Sequence, residues 1–532
     1  MSLNAKRWIV AGLSFLLLAS LLIVAYRESQ RKLVEERQVA IVTADSRACI
    51  DCHKNDSPAL VKEWEYSKHA RVGIGCVECH AADRNDIDAW KHEGVYISAL
   101  VTPRDCSKCH EKEYKEFANS PHARAAELIF NPDNVLAGKT VEVAGQGNVS
   151  NTARTCQECH GSIIKFAKDE KGNIVRTGSQ KKPFIDPETW PNSGMGRFNP
   201  DGSKGSCHAC HARHAFQAEL SRSPATCGKC HMGPDHPQIE TYDESKHGIA
   251  FSANRERMDL DKRGEWVLGR DYSAAPTCAT CHISSYMSAQ GFVEGGSHNV
   301  GERISWTLLP VISTKVNLVV YEDGYSENYP ETTDTPDIGD EVVTTETVVE
   351  NEKVVNKQVK RKVADVISWE DRREKMIGVC LNCHNDTYVD NFYNQYDNFV
   401  EYYNKIFAEP AQNLMDSLQA DGLINLEAPL ESQVQWAFWD LWHRGGRQAR
   451  HGASMMGPSI TRQGMYEVSE TFYSRFLPAV ISAAAQKGPA MEKKYRKLVD
   501  KELSRQDRTW IEEPLPNKTK SPKKTDKRGY DK

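Results

Sequence analysis

A mostly α-helical chain with little sheet and a core filled largely by cofactor is predicted by three observations. All 16 cysteines fall in eight C-x-x-C-H motifs, only 39% of the 532 residues are hydrophobic, and segments after His384 such as Tyr388–Ala420 and Ser469–Leu503 carry aromatic and aliphatic residues at helical spacing. The motifs pair Cys49 and Cys52 with His53, Cys76 and Cys79 with His80, Cys106 and Cys109 with His110, and Cys156 and Cys159 with His160. They continue with Cys207, Cys210 and His211; Cys227, Cys230 and His231; Cys278, Cys281 and His282; and Cys380, Cys383 and His384. C-x-x-C-H attaches c-type haem through two thioethers and supplies an axial histidine. Zinc ribbons pair C-x-x-C units in twos, and disulfide scaffolds do not demand the trailing histidine. Eight complete motifs with no cysteine left over therefore predict eight covalently bound haem c groups. The low hydrophobic share fits this reading, because porphyrin faces supply the apolar surface that side chains lack. The expected fold class is accordingly a multihaem cytochrome c: mostly α, with a haem-filled core followed by a C-terminal long-helix bundle.

Taken in order, the chain opens with Lys6 and Arg7 ahead of an uncharged run from Trp8 to Ala25. Eighteen helical residues span roughly 27 Å, enough to cross a bilayer. The expectation over residues 1–30 is a short cytoplasmic N-terminus followed by an uncleaved membrane anchor at 8–25, in preference to a cleaved signal peptide. Basic residues before the run place the haems on the periplasmic, extracytoplasmic side. The octahaem domain is expected over 31–384. Within it, residues 311–366 form an insert (VVTTETVVENEKVVNKQVKRKV at its centre) whose apolar–polar alternation predicts one or two β-hairpins. Residues 385–510 read as the helical bundle, and the Lys-rich stretch 511–532 as a disordered tail. A net charge of −5 gives no sign of nucleic-acid binding.

Eighteen histidines leave ten beyond the motifs: His69, His92, His122, His208, His214, His236, His247, His298, His443 and His451. A haem that only carries electrons is usually ligated on both faces, whereas a haem for chemistry leaves one face open. Ten spares for eight haems do not by themselves reveal an open site. Local repetition says more: His69 in YSKHA and His247 in ESKHG each lie 16 residues beyond a motif histidine, and His122 in NSPHA lies 12 beyond. This S-x-H-(A/G) module is expected to deliver a distal ligand. His214 in CHARH is placed to reach a neighbouring haem. His208, inside its own C-x-x-C loop, reads as surface or packing, and His443 in WAFWDLWHR as a core or polar-contact residue.

The stretch CHACHARHAFQAELSRSPATCGKCHMGPDHPQIETYDESKHG, with SHN at Ser297–Asn299 and SW at Ser368–Trp369, resembles the hydroxylamine oxidoreductase family of octahaem cytochromes. The resemblance runs from about residue 45 to 480. It implies seven distal ligands, His69, His92, His122, His214, His247, His298 and His451, and one five-coordinate haem, the fourth, held by Cys156, Cys159 and His160. It further implies that Asp235 and His236 reach the open face of that haem as proton donors and anion-binding groups. Histidine titrates near neutral pH, and breaking N–O bonds requires protons delivered with electrons.

The departures set the expected direction. Oxidising members carry a cross-linking tyrosine before a threonine, where this chain has Ile460 before Thr461; Tyr466 follows too late. A further active-site tyrosine is replaced by Leu309 before Pro310. The resemblance is therefore to the reductive branch: reduction of nitrite and/or hydroxylamine to hydroxylamine or ammonium, in a homotrimer. A membrane quinol dehydrogenase or another cytochrome would supply electrons, and a small nitrogen oxide would be the substrate. Two alternatives stay open: oxidation of hydroxylamine or hydrazine, and a non-catalytic electron conduit. No C-x-x-C-K occurs, which excludes a lysine-ligated catalytic haem here.

Overall fold

One turn of helix explains why each motif works as a unit. The computed structural model describes residues 8, 14–26, 40–130, 140–144, 147–150, 155–350, 352–425 and 430–505. Within it the motif histidine N–H returns to the carbonyl of the first cysteine, at 2.9 Å in Cys76–His80, Cys106–His110, Cys156–His160 and Cys207–His211. Such an i to i+4 bond puts both cysteines and the histidine on one face. The motif helices are short and individually capped. Thr102 closes a capping box with Asp105 ahead of the third motif, and Thr277 with Thr280 ahead of the seventh.

The S-x-H module has the same origin. Ser67 is the N-cap of Lys68–Arg71 and accepts from Ala70 N, while Ser245 caps Lys246–Asn254 and accepts from Gly248 N. The serine fixes where the helix begins, so the histidine two residues on leaves the first turn in a set direction.

The insert forms antiparallel sheet. Strands Thr314–Tyr321 and Ser326–Pro330 make one hairpin, and Glu341–Glu350 and Lys353–Ile367 a longer one. Thr314–Tyr321 also pairs with Lys353–Ile367, joining the two. Val349 and Val354, near the end of the long hairpin, pack on Ala126, Ile163 and Phe198, and Lys168 meets Glu352 at 2.8 Å. That end therefore rests against the segment leaving the fourth motif.

After the last motif, helices Asp386–Tyr403, Glu409–Ala420, Gln433–Trp439, Arg447–Ser454, Pro458–Glu470, Leu477–Ala485 and Pro489–Leu503 build the bundle. Phe407, Leu414, Leu441, Phe472 and Phe476 are buried together at its centre, each worth roughly 1.5–3 kcal/mol. The aromatic stripe of Asp386–Tyr403 divides. Phe392, Tyr393 and Tyr396 line the interior cavity, whereas Tyr403 joins the helical core. Three π-helical turns interrupt the bundle, among them Asp440–Gly446. The two helices flanking Gly457, Arg447–Ser454 and Pro458–Glu470, cross closely enough that a Cβ on Gly464 would lie 2.4 Å from Ala449 N.

The N-terminal expectation is corrected. Among the described residues no helix is long and apolar enough to cross a membrane. The described helical run, 14–26, would extend about 20 Å against a hydrocarbon core of about 30 Å. The anchor over 8–25, and the extracytoplasmic placement that rested on it, are not supported. The tail expected at 511–532 lies outside the described residues.

Candidate functional site

The eight motif histidines converge on one interior cavity of about 2820 Å³, which they all line. Small-ligand pockets are typically about 300–1,000 Å³, so this space fits several large groups. The histidines test the fit more sharply. Two imidazoles bound on opposite sides of one metal, with about 2.0 Å bonds and ring centres about 1.2 Å behind each nitrogen, would have centroids about 6.4 Å apart. Six pairs stand at that separation: His53–His92 at 6.2 Å, His69–His110 at 6.2 Å, His80–His214 at 6.4 Å, His122–His231 at 5.9 Å, His211–His298 at 6.5 Å and His247–His384 at 6.0 Å.

The other ring nitrogen is held where it should be. His80 Nδ1 bonds the Ser98 carbonyl at 2.8 Å and His92 Nδ1 bonds Gln180 Oε1 at 2.6 Å. Each leaves Nε2 free to ligate, as outer-shell partners do in metal sites. Burial drives the ring pKa of His122 down to about 3 and that of His211 down to about 4. Both are thus held neutral, the form that binds iron. The cysteines are unpaired thiols, and their motif partners share one face of each turn. These residues fit covalent haem.

Among the described residues, His160 and His282 have no second histidine at this distance. His451, expected as the seventh distal ligand, lines the same cavity as both. Its helix directs Nδ1 to Gln238 Nε2 at 3.3 Å and leaves Nε2 buried without a partner. His208 packs at a tilt against Phe216, ring centroids 6.1 Å apart.

His160 is distinguished by what lies near it. Burial first, and then the neighbouring His236, lower its proton affinity, with Asp235 acting in the opposite sense. His236 Nδ1 is 2.7 Å from Asp235 Oδ1. Burial alone would push the Asp235 pKa up; the bond and charge of His236, helped by His443, outweigh it and hold the carboxyl at about 2. The pair is therefore an ionised carboxylate orienting an imidazole, in the cavity that His160 also lines.

Two members of this cluster were not legible in the sequence. His443 Nδ1 faces Asp235 Oδ2 at 3.8 Å, and Arg447 Nη1 donates to His443 Nε2 at 2.8 Å. Trp439 stacks on the His443 ring at 4.2 Å. The i, i+4 spacing of His443 and Arg447 was a usable signal, but the helical phase around it is altered by the π-turn. Ile460 is buried within its helix, Leu309 lines the cavity with no hydroxyl to offer, and Tyr466 is 70% exposed.

The sequence matches the family described as seven times multi-haem cytochrome CxxCH over residues 200–335, and that of cytochrome c554 and c-prime over residues 105–182. The chain has the mostly α fold of a multihaem cytochrome. A probable nitrite reductase–hydroxylamine oxidoreductase fusion protein of Kuenenia stuttgartiensis is 28% identical to this cytochrome over 257 residues. That match covers 44% of this chain but spans only about a quarter (25%) of the longer protein. Two solved structures share its fold. One is a hypothetical multihaem protein, at TM-score 0.65 and 24% identity, covering 86% of this chain and 99% of that one. The other is the reducing HAO-like protein complex of Kuenenia stuttgartiensis, at TM-score 0.51 and 19% identity, covering 86% of each chain.

Proposed function

We propose that this cytochrome is an octahaem reductase of nitrite and/or hydroxylamine, yielding hydroxylamine or ammonium, with its reactive site at the fourth motif. The observation that carries the proposal is the Asp235–His236 pair beside His160, a motif histidine that meets no second histidine. Haem held here by Cys156, Cys159 and His160 would supply electrons and a metal site for a small anion. His236 hydrogen-bonds the bound nitrogen oxyanion and gives up a proton as N–O bonds break. Ionised Asp235 orients the imidazole and stabilises it while it carries that proton. The replacement of the tyrosine positions by Ile460 and Leu309 supports the reductive direction, and the fusion-protein relative supports nitrogen chemistry. A quinol dehydrogenase or another cytochrome is the proposed electron source, and a homotrimer the proposed assembly.

Turnover of nitrite and hydroxylamine with dithionite-reduced viologen tests the reading in the haem-loaded protein. Asp235→Asn and His236→Ala should each lose about 10²–10⁴-fold in rate, the usual contribution of general acid–base groups, with the haem optical spectrum unchanged. Wild-type rates in both variants would sink it.

A further inference from the structure

His443, expected to be a core or polar-contact residue, makes a polar contact with Arg447 and is held on both faces. Trp439 lies flat against its ring at 4.2 Å and 15°, and Trp442 meets it edge-on at 5.1 Å, so the ring plane is fixed. An arginine has only donors. Arg447 Nη1, 2.8 Å from His443 Nε2, therefore makes that nitrogen the acceptor and places the ring proton on Nδ1. Arg447 is itself anchored by donating from Nε to the Leu309 carbonyl at 2.9 Å, with its guanidinium over Trp442. Burial and the Arg447 charge push the His443 pKa down to about 4, consistent with a neutral ring.

The Nδ1–H that results is buried and has no hydrogen-bond partner, and it faces Asp235 Oδ2 at 3.8 Å. A buried N–H without an acceptor is costly, so its placement needs a reason. Separations of this kind in a substrate-free site commonly close when the site is occupied. The other oxygen of Asp235 already serves His236. His160 and His451 lie beyond, each sensing the charge of His236.

We propose that His443, its tautomer set by Arg447, is a positioning residue that holds the second oxygen of Asp235 and so aims the carboxylate at His236. The proposal rests on the reading of Asp235–His236 as the catalytic pair. In the order Arg447, His443, Asp235, His236, Arg447 donates to His443, and the Asp235 carboxylate lies between two ring N–H groups, bonded to that of His236 and facing that of His443. The π-turn Asp440–Gly446 is what brings His443 into line, and π-turns recur at functional sites.

The test uses haem-loaded full-length variants and viologen-driven nitrite turnover. His443→Leu should lower kcat by about 10–100-fold, the usual cost of losing an outer-shell partner, with optical and EPR spectra unchanged. His443→Asn, whose amide N–H sits where Nδ1–H was, should recover most of the rate, while His443→Gln, which reaches the Nε2 position instead, should not. In an Asp235→Asn background His443→Leu should cost nothing further, because both act through one carboxylate. Wild-type kcat in His443→Leu, equal impairment of the Asn and Gln variants, or losses that multiply in the double variant would each overturn the proposal. If His443→Leu does not accumulate with its haem, the Asn–Gln comparison decides alone. Full loss in Asp235→Asn and His236→Ala without loss in His443→Leu would refute the positioning role only. Full activity in those two would refute the catalytic pair and the positioning role together.

Discussion

The helix crossing beneath the site converts a single methyl group into a displacement of known size. Gly464 is buried where Pro458–Glu470 passes Arg447–Ser454, and a Cβ there would meet Ala449 N at 2.4 Å, Ala449 Cα at 2.8 Å and the Gly445 carbonyl oxygen at 2.8 Å. All three are backbone atoms, so no rotamer change can relieve the contact. Ordinary Cβ contacts begin near 3.4 Å, so Gly464→Ala must separate the helices by about 1 Å. Overpacking on this scale costs about 1–3 kcal/mol. The displaced segment carries His443, Arg447 and His451, and a 1 Å misplacement of positioning groups can cost about 100-fold in rate. Denaturant midpoints and viologen-driven nitrite turnover of Gly464→Ala measure both effects. Gly295→Ala, where an added Cβ meets nothing within 4 Å, is the control and should change neither. If Gly464→Ala matched wild type in stability and rate, the close crossing would not be what places this cluster.

Three further outcomes follow from the geometry. Replacing His122, which faces His231 at 5.9 Å, with Ala should convert one low-spin haem signal to high-spin by EPR, and an unchanged low-spin count would disprove that pairing. Asp235 ionises at about 2 in the fold against roughly 3.9 when free, a gap worth about 2.5 kcal/mol. Because the folded value is the lower one, this stabilisation is present above about pH 4 and disappears as the pH falls through 2. Guanidinium denaturation should therefore separate wild type from Asp235→Asn at pH 7 but not at pH 2. Arg361 is buried in the insert, bonding Asp323 at 2.7 Å and Glu346 at 2.6 Å. Arg361→Ala should cost about 2 kcal/mol locally, read as faster amide exchange along Glu341–Glu350, and unaltered exchange there would contradict it.

What the sequence made legible was whatever is encoded within a turn or two of chain. The motifs declared themselves because two cysteines and a histidine must share one helical face, and the S-x-H repeats did so because a capping serine starts the next helix. The insert's strands were visible in their alternation. The histidine pairings are different in kind. His80–His214 and His211–His298 join distant segments, and the path of the chain between them sets who meets whom. The bundle's π-turn hid His443 by shifting the helical phase that marked it as core. The apolar run of eighteen residues is not matched, among the described residues, by a helix long and apolar enough to cross a membrane.

The most direct test of the central claim is EPR of the oxidised, haem-loaded protein titrated with nitrite, in wild type and in His236→Ala. The account predicts a high-spin ferric signal that nitrite perturbs in wild type, with markedly weaker nitrite affinity once His236 is gone. A protein with no nitrite-sensitive high-spin signal, or one whose sensitivity is indifferent to His236, would contradict the assignment of reactivity to the fourth motif.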